Sequence, residues 1–240
     1  MRLQSVLTAL YPPQCLSCGV ETADEFSLCG ACWREMPFIS GLTCDSCGTP
    51  LPGESGGEVQ HCDACLAAPP TWQRGRAACR YDGTARRMIL ALKHGDRTDL
   101  VPAMARWMRP HVAPLLESDT VMAPVPLHPR RLFFRRFNQS ALLTRRLARD
   151  LGVPDGPDLL KRVRATRVQE GMTRPERQEN QRGAIAVSNN RRSFIEGRAV
   201  LLIDDVMTTG ATLGACAEAC LAAGAARVDV AVLARVARDA

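Results

Sequence analysis

Val200-Leu201-Leu202-Ile203-Asp204-Asp205-Val206-Met207-Thr208-Thr209-Gly210-Ala211-Thr212-Leu213 is the stretch that decides how this chain folds. Val200 to Ile203 is an unbroken aliphatic run, the mark of a central strand buried on both faces. Two carboxylates and a Thr/Gly loop follow it. Beyond the loop, Leu213, Cys216, Ala217, Cys220 and Leu221 recur at helical spacing until Gly224 ends the pattern, so Cys216 and Cys220 are core residues by position. Open α/β sheets bind ligands at the carboxyl ends of their strands, and a loop that opens a helix offers N–H groups and hydroxyls to a phosphate. Asp and Thr at such a point also cap ordinary surface helices, and on residue types alone the two readings stand about even.

Outward from this segment, short apolar strands alternate with helical stretches. Ala77 to Tyr81 reads as a strand and Thr84 to Lys93 as a helix with Met88, Ile89 and Leu92 on one face. Val121 to Val125 reads as a strand ending at Pro126, and Phe137 to Leu151 as a helix with Leu142, Leu143 and Leu147 inward. The pattern predicts an α/β domain, a mostly parallel sheet with flanking helices. Cys79 is expected to be buried in its strand.

The first 65 residues are of another kind. Eight of the 11 cysteines fall there as four pairs, Cys15/Cys18, Cys29/Cys32, Cys44/Cys47 and Cys62/Cys65. Two intervening residues let one tight turn aim two thiolates at one ion, and Gly19, Gly30 and Gly48 are expected to relieve these turns by positive φ. Thiolate sets without histidine favour tetrahedral zinc, so the pattern predicts two structural Zn²⁺ sites with no position left for a catalytic water. A thioredoxin-like dithiol needs a βαβ context that is missing here. Spacing leaves the pairing open: sequential ribbons (15, 18, 29, 32 and 44, 47, 62, 65) are simpler than an interleaved cross-brace. His61 adjoins Cys62 but reads as a solvent-facing neighbour. Leu51 to Gln60 reads as a flexible loop, and Pro69-Pro70 marks a boundary between a zinc module at 1–70 and the α/β domain at 71–240.

The formal net charge is +6, yet Arg130 to Arg198 alone holds 17 Lys/Arg against 7 Asp/Glu, a net of +10. Such a stretch expects anionic partners, and charge does not separate a phosphorylated small molecule from a nucleic acid. No apolar run reaches the roughly 18 residues of a membrane span. Met1 to Leu10 reads as a short amphipathic helix without a cleavage site, which predicts a cytoplasmic protein. The oligomeric state is not legible.

Val200 to Leu213 resembles the signature with which type I phosphoribosyltransferases bind phosphoribosyl pyrophosphate (PRPP). Further segments narrow the resemblance. Pro124-Val125-Pro126-Leu127-His128, then Arg131 and Arg135, then Phe137-Asn138-Gln139-Ser140, together with cysteine pairs after Pro12-Pro13, are similar to the ComF/GntX family of phosphoribosyltransferase-like competence proteins. That family's usual Arg-Gly-Phe-Asn-Gln stands here as Arg135-Arg136-Phe137-Asn138-Gln139.

The resemblance implies that Asp204 and Asp205 hold the ribose hydroxyls and that Thr208, Thr209, Gly210, Ala211 and Thr212 hold the 5′-phosphate. It implies Mg²⁺ carried with PRPP, Lys93, Arg131 and Arg135 near the leaving pyrophosphate, and a lid over Thr166 to Glu179 that includes Gln169 and Arg177. The implied activity is phosphoribosyl transfer to an unknown acceptor, with Asp204, Asp205, Arg131 and Arg135 as the catalytic set. The alternative is a non-catalytic nucleotide- or single-stranded-DNA-binding protein of DNA uptake, with DNA or uptake proteins as partners. Arg145, Arg146, Arg149, Arg191 and Arg192 lie outside these motifs and read as a solvated face.

Overall fold

The computed structural model describes residues 11–54, 56–127, 136–164, 176, 180 and 183–236. Met1 to Leu10, Arg131, Arg135, Gln169, Arg177 and nearly all of the 166–179 segment lie outside the described residues.

The two cysteine ribbons repeat one construction. In each, a Cys-x-x-Cys turn closes through the amide of the glycine that follows, Gly19 N–H to Cys15 O at 2.9 Å and Gly48 N–H to Cys44 O at 2.8 Å. Both glycines take positive φ, 77° and 69°, which a side chain would make costly. The third cysteine of each set then caps a one-turn helix that carries the fourth: Cys29 before α1 (Gly30–Arg34) and Cys62 before α2 (Asp63–Ala67). Gly30 departs from expectation, because it opens α1 instead of relieving a turn at positive φ.

The α/β domain runs β1 (Gly75–Arg80), α3 (Gly83–His94), α4 (Val101–Val112), β2 (Val121–Pro124), α5 (Gln139–Leu151), β3 (Leu160–Arg162), β4 (Ile185–Val187), α6 (Arg192–Ile195), β5 (Ala199–Met207), α7 (Ala211–Ala222) and β6 (Arg227–Arg235). Four strands form a parallel sheet in the order β1-β6-β5-β2, while β3 and β4 make a separate antiparallel pair. The aliphatic run Val200 to Ile203 therefore lies in an interior strand, as its composition required.

Alternation along β5 divides the core in two. Leu201 and Ile203 face Met88, Ile89 and Leu92 of α3, Met104 and Met108 of α4, and Leu143 and Leu147 of α5. Val200 and Leu202 face Leu213, Cys216, Ala217 and Cys220 of α7. The ribbons do not hang free of this core. Leu16 and Met36 of the first join one side; Ile39, Cys44 and Cys47 join the other. The connecting segment lies along β1, with Ile39 N–H donating to Ala78 O at 3.0 Å and Arg80 N–H to Pro37 O at 2.8 Å, so the outer edge of β1 is covered.

The structure differs from the sequence expectation at the start of α5, at Leu142 and at the end of β5. α5 begins at Gln139 because Asn138 caps it, its Oδ1 accepting from Ser140 N–H at 3.0 Å. Leu142 is only half-buried. β5 continues to Met207, so the two carboxylates are strand residues and not part of the loop after it. Cys79 is buried in β1, as expected, donates to Leu233 O at 3.0 Å, and burial pushes its thiol up to about 12.

Candidate functional site

Two interior strands end beside the loop that joins β5 to α7. Asp204 accepts from Ser140 Oγ at 2.7 Å and from the Asp205 amide at 2.9 Å. Burial, followed by the neighbouring Asp205 carboxylate, raises Asp204 to about 7; Ser140, the Asp205 amide and Lys93 act the other way. Asp205 is buried and meets Lys93 Nζ, at the end of α3, at 2.9 Å. A carboxylate pair with one member held by a lysine and the other raised to about 7 is suited to accept hydrogen bonds from vicinal hydroxyls.

The loop itself is held from below. Arg235, at the end of β6, donates from Nη1 to Met207 O at 3.1 Å and also to Thr208 O. Thr209 Oγ1 accepts from Ala211 N–H at 3.5 Å. Gly210 precedes α7 with φ 81° and has no side chain to cap the first turn. A helix start whose N-cap residue carries no side chain, next to exposed Thr208, presents the positive end of the helix dipole to an anion.

The loop joining β5 to α7 and the second ribbon meet at Trp72, a residue to which the sequence assigned no site role. Its Nε1 donates to Ser46 O, between Cys44 and Cys47, at 2.6 Å. Its ring fills the place where Gly210 would carry a Cβ, 2.7 Å from that position.

Each ribbon gathers its four cysteines sequentially: Cys15, Cys18, Cys29 and Cys32 in one cluster, Cys44, Cys47, Cys62 and Cys65 in the other, with sulfurs all within 4.8 Å of one another. The Cys18–Cys29 and Cys47–Cys62 sulfurs are 3.7 and 3.8 Å apart. Tetrahedral zinc with bonds of about 2.3 Å requires sulfurs about 3.8 Å apart, so both sets fit the ion. Cys47 is held down at about 4, through its hydrogen bonds with Cys44 and Thr49 and the charge of Arg235, against the pull of burial. His61 is exposed and bonds Ser46 Oγ at 3.0 Å, outside the ligand set.

Residues 6–66 match a double zinc ribbon domain and residues 138–240 a phosphoribosyl transferase domain. DNA utilization protein YhgH of Salmonella typhi is 32% identical over 230 residues, covering 93% of this chain and 97% of that protein. YhgH of Escherichia coli (strain K12) is 30% identical over the same length and with the same coverage. Competence protein F of Haemophilus influenzae is 29% identical over 231 residues, covering 92% and 96%. The chain belongs to the ComF/GntX family. Its fold is accordingly a phosphoribosyltransferase-like parallel sheet preceded by a double zinc ribbon.

The ComF/GntX glycine that is Arg136 here keeps a backbone only glycine adopts without strain. Arg136 stands at φ 62° and its Nη1 meets Asp96, itself at φ 50°, at 3.0 Å. Of the site residues expected from sequence, Asp204, Asp205, Lys93 and the 208–212 loop are brought together, while Arg131, Arg135, Gln169 and Arg177 lie outside the described residues. Ser140 and Arg235 were missed as site residues, the first within a family motif and the second on a strand that no sequence signal singled out.

Proposed function

We propose that the chain binds PRPP or a related phosphorylated ribose, with Asp204 and Asp205 on the ribose hydroxyls and the 208–212 loop on the 5′-phosphate. The observation that carries this reading is the succession of an acidic pair, half-buried Asp204 and buried Asp205, on interior strand β5, a loop pinned by Arg235, and a glycine-capped helix. The oxygen donors beside it suit Mg²⁺, which needs few protein ligands when the substrate supplies its own oxygens. Bound with PRPP, that ion would neutralise charge on the departing pyrophosphate. The finer claim is phosphoribosyl transfer to an acceptor, with residues 71–240 carrying the chemistry and residues 1–70 a structural module. Calorimetric titration with PRPP and Mg²⁺, then pyrophosphate release across a panel of nucleobases, tests it. Binding without release leaves a ligand-binding protein; no binding removes the reading.

A second reading, single-stranded DNA handling, is favoured by one feature besides the relatives' names. A groove of about 720 Å³ between α4 and α5 is lined by Arg145, Arg146 and Arg149 together with Thr98, Val101 and Pro102. Asp150 holds Arg146 at 2.7 Å and Arg149 more loosely at 3.8 Å, and Arg145 and Arg149 are the exposed charges there. If the groove follows a phosphate backbone, reversing Arg145, Arg146 and Arg149 to Glu lowers the salt slope of binding by about one for each phosphate no longer neutralised. An unchanged slope removes the groove from the DNA path.

A further inference from the structure

The second ribbon is pressed into the domain at atomic contact. A Cβ on Gly75 would lie 2.3 Å from Ser46 O, and one on Gly48 would lie 2.7 Å from Ala77 N. Backbone thus meets backbone where the Cys44–Cys47 turn rests on β1, with no layer of side chains to absorb a shift. Arg76 fixes the same turn, donating to Asp45 O at 2.9 Å and to Asp45 Oδ1 at 2.6 Å. Asp45 O also accepts from Gly75 N–H at 2.7 Å. On the far side of this contact stands Trp72, bonded to Ser46 O and buried against Met207, Gly210 and Leu213. The indole is therefore a single rigid body with one end on a metal knuckle and the other on the glycine that opens α7.

A rigid ring between two backbone segments transmits displacement, because packed interiors offer little free volume to dissipate it. If the Cys44–Cys47 turn opens, Ser46 O withdraws from Nε1 and the ring loses the bond that orients it. Gly210, at φ 81° and shaped by contact with that ring, then loses its support. We infer that Trp72 is a positioning residue coupling the second cysteine cluster to the 208–212 loop, so that the metal-loaded state of that cluster sets the loop's affinity for a phosphorylated ligand. The inference rests on the reading that this loop binds the phosphate of PRPP, and it adds regulation of that site through the Cys44, Cys47, Cys62 and Cys65 set. The first cluster does not meet Trp72 among the described residues, its Leu16 and Met36 packing on the opposite face of the sheet.

The test uses the full chain, with zinc measured by elemental analysis, the Gly210 and Thr209 amides followed by NMR, and PRPP with Mg²⁺ titrated by calorimetry. Cys62→Ser with Cys65→Ser, at the half-exposed end of the cluster, is expected to remove one zinc, shift both amides and weaken PRPP about tenfold or more. Cys29→Ser with Cys32→Ser is expected to remove one zinc and leave both amides in place. Trp72→Phe keeps an aromatic ring beside Gly210 but deletes the donor to Ser46; it is expected to retain both zinc ions and weaken PRPP roughly threefold. Combining it with the Cys62/Cys65 change should give less than the product of the two effects, since both cut one path. Amides unmoved by the Cys62/Cys65 change, or fully multiplicative effects, overturn the coupling. Should the Cys62/Cys65 variant fail to fold, Trp72→Phe decides alone: unmoved amides and unchanged affinity overturn the coupling. Amides that move in a protein that never binds PRPP uphold the coupling and remove the PRPP reading instead.

Discussion

Ser140 Oγ donates to Asp204 Oδ1 at 2.7 Å, joining the first turn of α5 to the end of β5. The bond favours the ionised carboxylate, against burial and the charge of Asp205, which together raise Asp204 to about 7. Ser140→Ala should push Asp204 higher still and weaken PRPP at neutral pH while leaving the fold intact. Affinity measured at a series of pH values should show the loss shrinking as the solution becomes more alkaline.

The same shift predicts a pH dependence with a definite sign. Asp204 binds its proton more tightly folded than unfolded, so the native state holds the extra proton between the ordinary carboxylate value and about 7. This contribution to stability is present at acid pH and declines as pH rises through that window. Ligand binding that needs the carboxylate runs the other way, weakening by about tenfold per pH unit below its titration point. Asp204→Asn should flatten the window in urea unfolding and abolish PRPP binding; an unaltered profile would place the titration on another group.

Asp205→Asn leaves Lys93 without its 2.9 Å partner in a nearly closed environment. The expected cost is about 1–3 kcal/mol of stability together with loss of PRPP binding. Because both carboxylates belong to β5, neither substitution is silent toward the fold. Lys93→Met combined with Asp205→Asn should recover part of the stability and none of the binding, which denaturant titration and calorimetry separate.

Two glycines at the start of α7 should respond differently to alanine. Gly210→Ala meets the Trp72 ring at 2.7 Å and a φ of 81°, whereas Gly214→Ala meets the nearest ring atom at 3.9 Å. The first should cost about 1–2 kcal/mol from backbone conformation alone, with the ring contact adding to it, and the second should be tolerated. Thermal unfolding of the pair is the check.

Chelation should release two zinc ions per chain and lower the unfolding midpoint of the α/β domain as well as melting the ribbons. Cys44 and Cys47 sit in the same core as Leu202 and Leu213, so apolar cover over the sheet goes with the metal. Scanning calorimetry before and after chelation reads both effects; a domain transition that does not move would show that the shared core is energetically idle.

The β5–loop–α7 segment was legible because three independent signals coincide there: an aliphatic run, an acidic pair and a helical repeat ended by Gly224. The ribbons were legible because four identical spacings leave little else for the thiols to do. Trp72 was not, since one aromatic after Pro69-Pro70 looks like any linker residue until Ser46 and Gly210 arrive from 26 positions before and from the far end of the domain. Ser140 and Arg235 were hidden for the same reason: their partners lie 64 and 27–28 residues away, and neither residue type announces its direction. The extent of β5 was underestimated because charged residues ordinarily end a buried strand, and here Ser140 and Lys93 let it continue.

The strand order carries a consequence in time. β1 pairs within the sheet with β6, the last of the described strands, Gly75 aligning with Val230 and Arg80 with Arg235. A ribosome delivers the ribbons and β1 long before β6, because β2 to β5 lie between them in the chain. Throughout that interval β1 has one edge shielded by the Phe38 segment and the other open, so metal captured by the emerging cysteines guards a strand still waiting for its neighbour. Closing so distant a pairing is slow, and zinc supply during synthesis, more than after it, should set the yield of native protein.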